Sequence, residues 1–190
     1  MVRAAQTVRS ERTREALRRA ALVRFLAQGV EATSAEEIAT DAGVSLRTFY
    51  RHFASKHDLL FADYDAGLHW FRRALAARPD DETITESVRV AIFAFPYDVQ
   101  AVTQIAALRA ETLDPARIVE HIRRVETDFA AAVAERLGGP ATLDVAVTAR
   151  CVAAAVFGAM EFWMLGEERS LAELARLCQE ALSFVEFRHY

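Results

Sequence analysis

Ser34 and Ser45 each head a short helical pattern, and Gly43 sits in the few residues that separate the two. In the first pattern Ala35, Ile38, Ala39 and Ala42 fall at i, i+3, i+4 and i+7, which gives one narrow apolar face. Ser34 followed by Glu37 is a capping box, the arrangement that starts a helix by satisfying its free N–H groups. Ala39 and Gly43 leave room for a second helix to cross closely and for the chain to turn. Ser45 then caps the next helix. Two short helices joined by a glycine-containing turn make the helix-turn-helix pattern, although αα-corners of ordinary bundles share its spacing.

The rest of the chain is equally helical in pattern. Its four prolines all fall between apolar-periodic segments, and no segment alternates in the manner of a strand. We expect an all-α fold of about nine helices, near 10–28, 35–42, 46–52, 56–78, 83–95, 98–112, 116–137, 142–165 and 170–187. Residues 1–9 are expected to form a flexible basic arm. The domain reading is a helix-turn-helix domain over 1–55 and a larger helical domain over 56–190. The N-terminal stretch lacks the apolar segment of a secretory signal. No stretch approaches ~18 uncharged apolar residues, the longest being interrupted by Glu161, so no membrane span is expected. Cys151 and Cys178 read as small apolar residues of a reducing compartment, and a cytoplasmic location follows.

Charge is unevenly spread. Residues 1–57 carry ten Arg or Lys against six acids, a net +4 that leaves −8 on the remainder of a chain totalling −4. A basic head on an acidic body points to an anionic partner for the head alone. In the stretch "GVSLRTFYRHFASK" Val44, Phe49 and Phe53 can anchor a helix, leaving Ser45, Leu46, Arg47, Thr48, Tyr50 and His52 as a largely polar surface. The start of the second helix of a helix-turn-helix enters the DNA major groove. Arg47 suits a guanine edge and the methyl groups of Leu46 or Thr48 suit thymine, while Ser45, Thr48, Tyr50 and His52 suit phosphates. Lys56, the chain's single lysine, follows a cap formed by Ser55 with Asp58. A cation there opposes the helix dipole, an arrangement that makes sense if a phosphate docks at that helix end.

The run "EATSAEEIATDAGVSLRTFYRHFASKHDLL" resembles the DNA-binding segment of the TetR family of bacterial transcriptional regulators. The matching residues are Thr33-Ser34, Ile38-Ala39, Ala42 to Ser45, Thr48 to Phe53, Ser55-Lys56 and Leu59-Leu60. The resemblance implies that Thr33, Ser34, Ser45, Leu46, Arg47, Thr48, Tyr50, His52 and Lys56 are the DNA-contacting positions. Arg47 departs from the family, many of whose members carry Gly or another small residue there, so the operator cannot be borrowed from relatives. The same resemblance implies a C-terminal ligand-binding and dimerisation domain, with the last two helices forming a four-helix bundle across a homodimer. It favours a repressor over an activator. A dimer would place two recognition helices ~34–36 Å apart on a near-palindromic operator.

The body is rich in bulky apolar residues with scattered polar ones. Trp70, Phe93, Tyr97, Phe129, Phe157, Met160 and Met164, with Gln104, Arg109, Glu126 and Glu161, are the candidate ligand-binding residues. An aromatic and Met-rich pocket would take a hydrophobic or amphipathic effector. Asp65 and His69, four apart, read as neighbours on one helix face rather than as metal ligands, and no metal or cofactor is called for. Two other readings remain: a regulator whose body binds a protein, and a helical-bundle enzyme or carrier. The second lacks H-E-x-x-H, a glycine-rich phosphate loop and G-x-S-x-G.

Overall fold

A computed structural model describes residues 2–94 (backbone only for 2–8), 98–139, 142–168 and 170–185. The described residues form nine α-helices: α1 Val2–Gln28, α2 Ala35–Asp41, α3 Leu46–His52, α4 Ala62–Ala76, α5 Ile84–Ile92, α6 Val99–Thr112, α7 Pro115–Arg136, α8 Leu143–Leu165 and α9 Leu171–Ser183. No strand occurs among them, so the all-α expectation holds. The expected basic arm is instead the start of α1. Its sequence offers no breaker before Gly29, and good helix formers continue the pattern back toward the N-terminus. The expected fourth helix divides into a 3-10 turn, Lys56–Phe61, and α4. Leu59, Leu60, Phe61 and Ala62 are consecutive and all buried, which one face of a regular α-helix cannot achieve. Helix α5 ends at Ile92, and residues 95, 186 and 187 of the expected helices lie outside the described residues.

The chain separates into two compact units. One comprises Met1–Ala62 with Gln104–Pro115, and the other Asp63–Thr103 with Ala116–Tyr190, so the division differs from a cut after residue 55. In the first unit α1 packs on α2, and α2 on α3. Leu17, Ala21 and Phe25 of α1 are buried, as are Ile38, Phe49 and Phe53. In the second unit Phe71 stacks on Phe129 with ring centres 3.8 Å apart, and Phe157 meets Phe129 edge-on at 5.7 Å. These rings lie in a core that also takes Val88, Val133, Val152 and Val156. A smaller cluster joins Ala159 and Trp163 of α8 to Leu174 and Cys178 of α9, and Trp163 Nε1 donates to Ser170 O at 3.0 Å. Burial pushes the Cys178 thiol up to about 12, so it behaves as the apolar residue expected. By length and composition α8 reaches the mark of a membrane span, so the inference from Glu161 does not hold. Its buried face packs in these two cores.

Candidate nucleic-acid interface

The helix-turn-helix is set by caps and one glycine. Ser34 N–H donates to Glu37 Oε2 at 2.8 Å and Glu37 N–H donates to Ser34 Oγ at 3.1 Å, the reciprocal pair expected of a capping box. Gly43 has φ 67, a left-handed conformation that favours glycine, and it turns the chain from α2 toward α3. Val44 N–H closes that turn on Ala39 O at 2.9 Å. Ser45 Oγ accepts from Thr48 N–H at 3.1 Å and caps α3. Phe49, fully buried, and Phe53 hold α3 down, and the Arg14 guanidinium lies 5.2 Å from the Phe53 ring centre. Arg24 of α1 grips α2 from outside. Its Nε and NH2 donate to Asp41 at 2.6 and 3.0 Å, and its NH1 donates to Glu37 at 2.7 Å. The fork explains why the Asp41 carboxyl is held below its ordinary range. Sequence reading missed this clamp, because its partners lie far apart in the chain.

The surface that results is narrower than the expected set. Ser45, Leu46, Arg47 and Tyr50 are exposed on α3, Tyr50 by 55%, with its ring edge-on to Phe49 at 5.3 Å. Arg47 makes no ion pair among the described residues, so its guanidinium is available to an external acceptor. Thr48 is half-buried, and its hydroxyl lies 2.9 Å from Ser45 Oγ. Four positions depart from the expectation. Thr33 is 1% exposed and donates to Gly29 O at 2.8 Å, so its side chain holds the turn. The Ser34 hydroxyl is exposed but engaged, donating to Glu37 at 2.9 Å. His52 Nε2 is buried without a hydrogen-bond partner among the described residues, and that burial holds its imidazole below the ordinary range. Lys56 Nζ donates to Glu31 O at 3.0 Å and lies 3.6 Å from Glu31 Oε2. Its charge at the start of the 3-10 turn is thus offset within the chain, where the sequence reading left it for a phosphate. Glu31 also sits 3.0 Å from His57 Nε2, and these two neighbours hold its carboxyl below the usual range.

The described candidate ligand residues divide among the core clusters, the first unit and the surface. Phe129 and Phe157 belong to the stacked core, with Phe93 and Met160 packed at its edge, and Met164 joins the smaller cluster. Trp70 is exposed beneath the Arg73 guanidinium, Gln104 is half-buried on α6, and Tyr97 lies outside the described residues. Arg109 belongs to the first unit. It is 4% exposed, its Nε donates to Leu60 O at 2.7 Å, and its guanidinium lies 5.3 Å from the Phe61 ring centre. A buried guanidinium must be satisfied, and the backbone of the 3-10 turn supplies part of that. Glu126 alone of the set lines a groove of about 630 Å³ between α7 and α8. The groove has a floor of alanines, among them Ala130, Ala149 and Ala153, and a rim of Arg123, Glu126, Glu135 and Arg150. Its sequence signal was small residues between charged ones at helical spacing, a pattern that plain helix packing also produces. Asp65 faces His121 of α7 at 3.7 Å, and no cluster of three metal-ligating side chains occurs among the described residues.

With α3 held proud of a buried anchor and flanked by caps, the comparisons decide the family. Residues 17–62 match the model "Bacterial regulatory proteins, tetR family", and residues 98–188 match "MftR C-terminal domain", a model of TetR-type C-terminal domains. The chain belongs to the TetR family. A curated relative, the HTH-type transcriptional regulator TcmR of Streptomyces glaucescens, is 36% identical over 123 residues, 60% of this chain. That match spans only 54%, about half, of the relative's length. Among solved structures, a transcriptional regulator of Aquifex aeolicus superposes with a TM-score of 0.55 at 20% identity, covering 91% of this chain and 99% of the other. The SmeT–triclosan complex gives 0.56 at 22% identity, covering 91% and 89%. SmeT is the repressor of the Stenotrophomonas maltophilia multidrug efflux pump SmeDEF. At these identities the structural likeness carries the fold alone. A TetR-family chain is a transcriptional regulator rather than an enzyme, which removes the catalytic reading.

Proposed function

We propose that this TetR-family protein acts in the cytoplasm as a homodimeric repressor that leaves a near-palindromic operator when an amphipathic small molecule binds its body. The observation that carries the DNA half is the exposed Ser45, Leu46, Arg47 and Tyr50 surface on a helix fixed by buried Phe49. Arg47 reads a base edge, and Ser45 and Tyr50 place α3 against phosphates. The effector half is supported by the α7–α8 groove, whose 630 Å³ falls within the ~300–1,000 Å³ usual for ligand sites. An apolar body would lie on the alanines, and a charged or polar end would meet Arg123, Arg150 or the rim glutamates. The effector releases DNA to the extent that it prefers the conformation in which the two heads are wrongly spaced.

The test is footprinting on DNA upstream of the protein's own gene, repeated with carboxylate-bearing amphiphiles. Protection of a two-fold-symmetric site that falls steeply with salt is expected. Failure to protect any genomic fragment would sink the DNA reading, and protection indifferent to every amphiphile would sink the effector reading. A second reading has one observation behind it: the aromatic rings fill the body's interior, and the groove is open rather than closed. A segment of another protein would then occupy it, and release of DNA by a protein fraction but by no small molecule would favour that occupant.

A further inference from the structure

We infer that Arg24 is a positioning residue for base reading: by bridging Glu37 and Asp41 it fixes the end of α2, and through it the place of Arg47 on α3. This role rests on the DNA reading proposed above and deepens it. Between Ala39 and Phe49 no residue is buried. Hydrophobic packing therefore holds α2 and α3 at Ile38, Ala39 and Phe49, but not along the stretch that carries the turn and the start of α3. Three backbone hydrogen bonds close that turn, from Ala42, Gly43 and Val44 to the carbonyls of Ile38, Thr40 and Ala39 at 3.0, 3.0 and 2.9 Å. Ser45 follows directly as the cap of α3, and Arg47 is the second residue of that helix. A rotation at the end of α2 is thus passed to Arg47 with little slack.

Asp41 is where that end is held. It is the last residue of α2, where the helix dipole disfavours a carboxylate. It also stands four residues from Glu37 on the same helix, where like charges repel. Neither helix propensity nor capping accounts for an acid there. Arg24 does, because its Nε and NH2 donate to the two Asp41 oxygens at 2.6 and 3.0 Å, a planar fork that fixes direction as well as distance. Its NH1 donates to Glu37 Oε1 at 2.7 Å, while Glu37 Oε2 accepts from the Ser34 N–H and hydroxyl. One guanidinium on α1 thus ties both ends of α2, the N-cap included. The Arg24, Glu37 and Asp41 side chains keep 28, 39 and 38% of their surface in water, and pairs so exposed add little to stability. Their contribution is geometric. A contact to a base edge tolerates a displacement of only about 0.5 Å. Grips on the phosphate backbone carry no sequence information, so loosening α2 lowers discrimination before it lowers affinity.

Binding of Arg24→Gln, Arg24→Lys and Asp41→Asn to the footprinted operator and to random DNA tests this. Each variant is expected to lower the operator-to-random affinity ratio by about tenfold, within what one base contact supplies. Affinity for random DNA and its salt slope should match wild type, and the thermal midpoint should stay within about 3 °C. Lysine keeps the charge but not the fork, so it should not restore the ratio. Arg24→Lys combined with Asp41→Asn should lose no more than either change alone, because the two side chains form one link. An unchanged ratio in Arg24→Gln, a lysine that restores it, or additive losses in the double variant overturns the role. So does an equal loss on both DNAs, whether the salt slope falls by about one, as for a phosphate contact, or the loss follows the thermal midpoint, as for a merely structural residue. A wild type with no preference for any operator sinks the DNA reading itself.

Discussion

The two exposed helix faces of this protein, α3 in the first unit and α8 in the second, present opposite chemistry. On α3 the exposed groups are polar or amphipathic except for Leu46, and Phe49 and Phe53 beneath are buried. On α8 the exposed groups are mostly apolar, and of the aromatic residues that looked like a pocket Phe129 is buried as core, with Phe93 and Phe157 packed against it. A face that keeps water-seeking donors on a rigid base suits a charged, hydrated partner such as DNA. A face that leaves Leu143, Val147 and Leu165 in water suits a partner that removes that surface from solvent. In each region, function follows from what the fold leaves outside.

The largest expected effect uses the two anchors against each other. Phe49→Ala and Phe129→Ala each remove a buried ring and should cost about 3–5 kcal/mol in denaturant titrations. Only the Phe49 variant should abolish operator binding at temperatures where both still show helical dichroism; equal loss in both would break the division of labour. Arg47→Ala is the next step down. It should lower discrimination among operator variants by about 1–3 kcal/mol while leaving the thermal midpoint unchanged. An equal loss on random DNA would make Arg47 a phosphate contact.

Smaller effects sharpen the boundary between structural and DNA-contacting residues. Thr33→Val deletes the hydrogen bond to Gly29 O and should cost about 1 kcal/mol of stability, with operator affinity per folded molecule unchanged. Loss of affinity without loss of stability would return Thr33 to the interface. The smallest effect concerns His52. Burial first, then Arg51 and Arg14, hold its imidazole below the ordinary 6.5, so the folded protein takes up that proton less readily than the unfolded chain. Its contribution is therefore fully present above about 6.5 and is lost as pH falls below that value toward the lowered one. Urea midpoints compared near pH 7.5 and about 5.5 should show the loss, since the lowered carboxylates titrate further down. His52→Gln should reduce the difference, and an unchanged difference would place the pH sensitivity elsewhere.

The helix-turn-helix was legible because its determinants are local. Ser34 with Glu37, Gly43 and Ser45 act through neighbours three or four residues away, so their spacing predicted the geometry found. Phe49 and Phe53 were legible as anchors for the same reason. The body was legible as helices but not as a site, because an aromatic side chain reads alike whether it fills a core or lines a pocket. Phe129 went to the core by stacking on Phe71. Arg109 went to the first unit through a carbonyl, Leu60 O, far away in the chain.

Sequence alone determined an all-α chain, a capped helix-turn-helix and its basic surroundings, since caps, turns and helical periods are short-range properties. Tertiary structure alone decided that Lys56 is held by Glu31, that Thr33 is buried, that Arg24 clamps α2, and that a groove lies between α7 and α8. Each of these depends on which distant segments are brought together, and hydrophobic burial, which drives that assembly, is non-directional and leaves no local spacing to read.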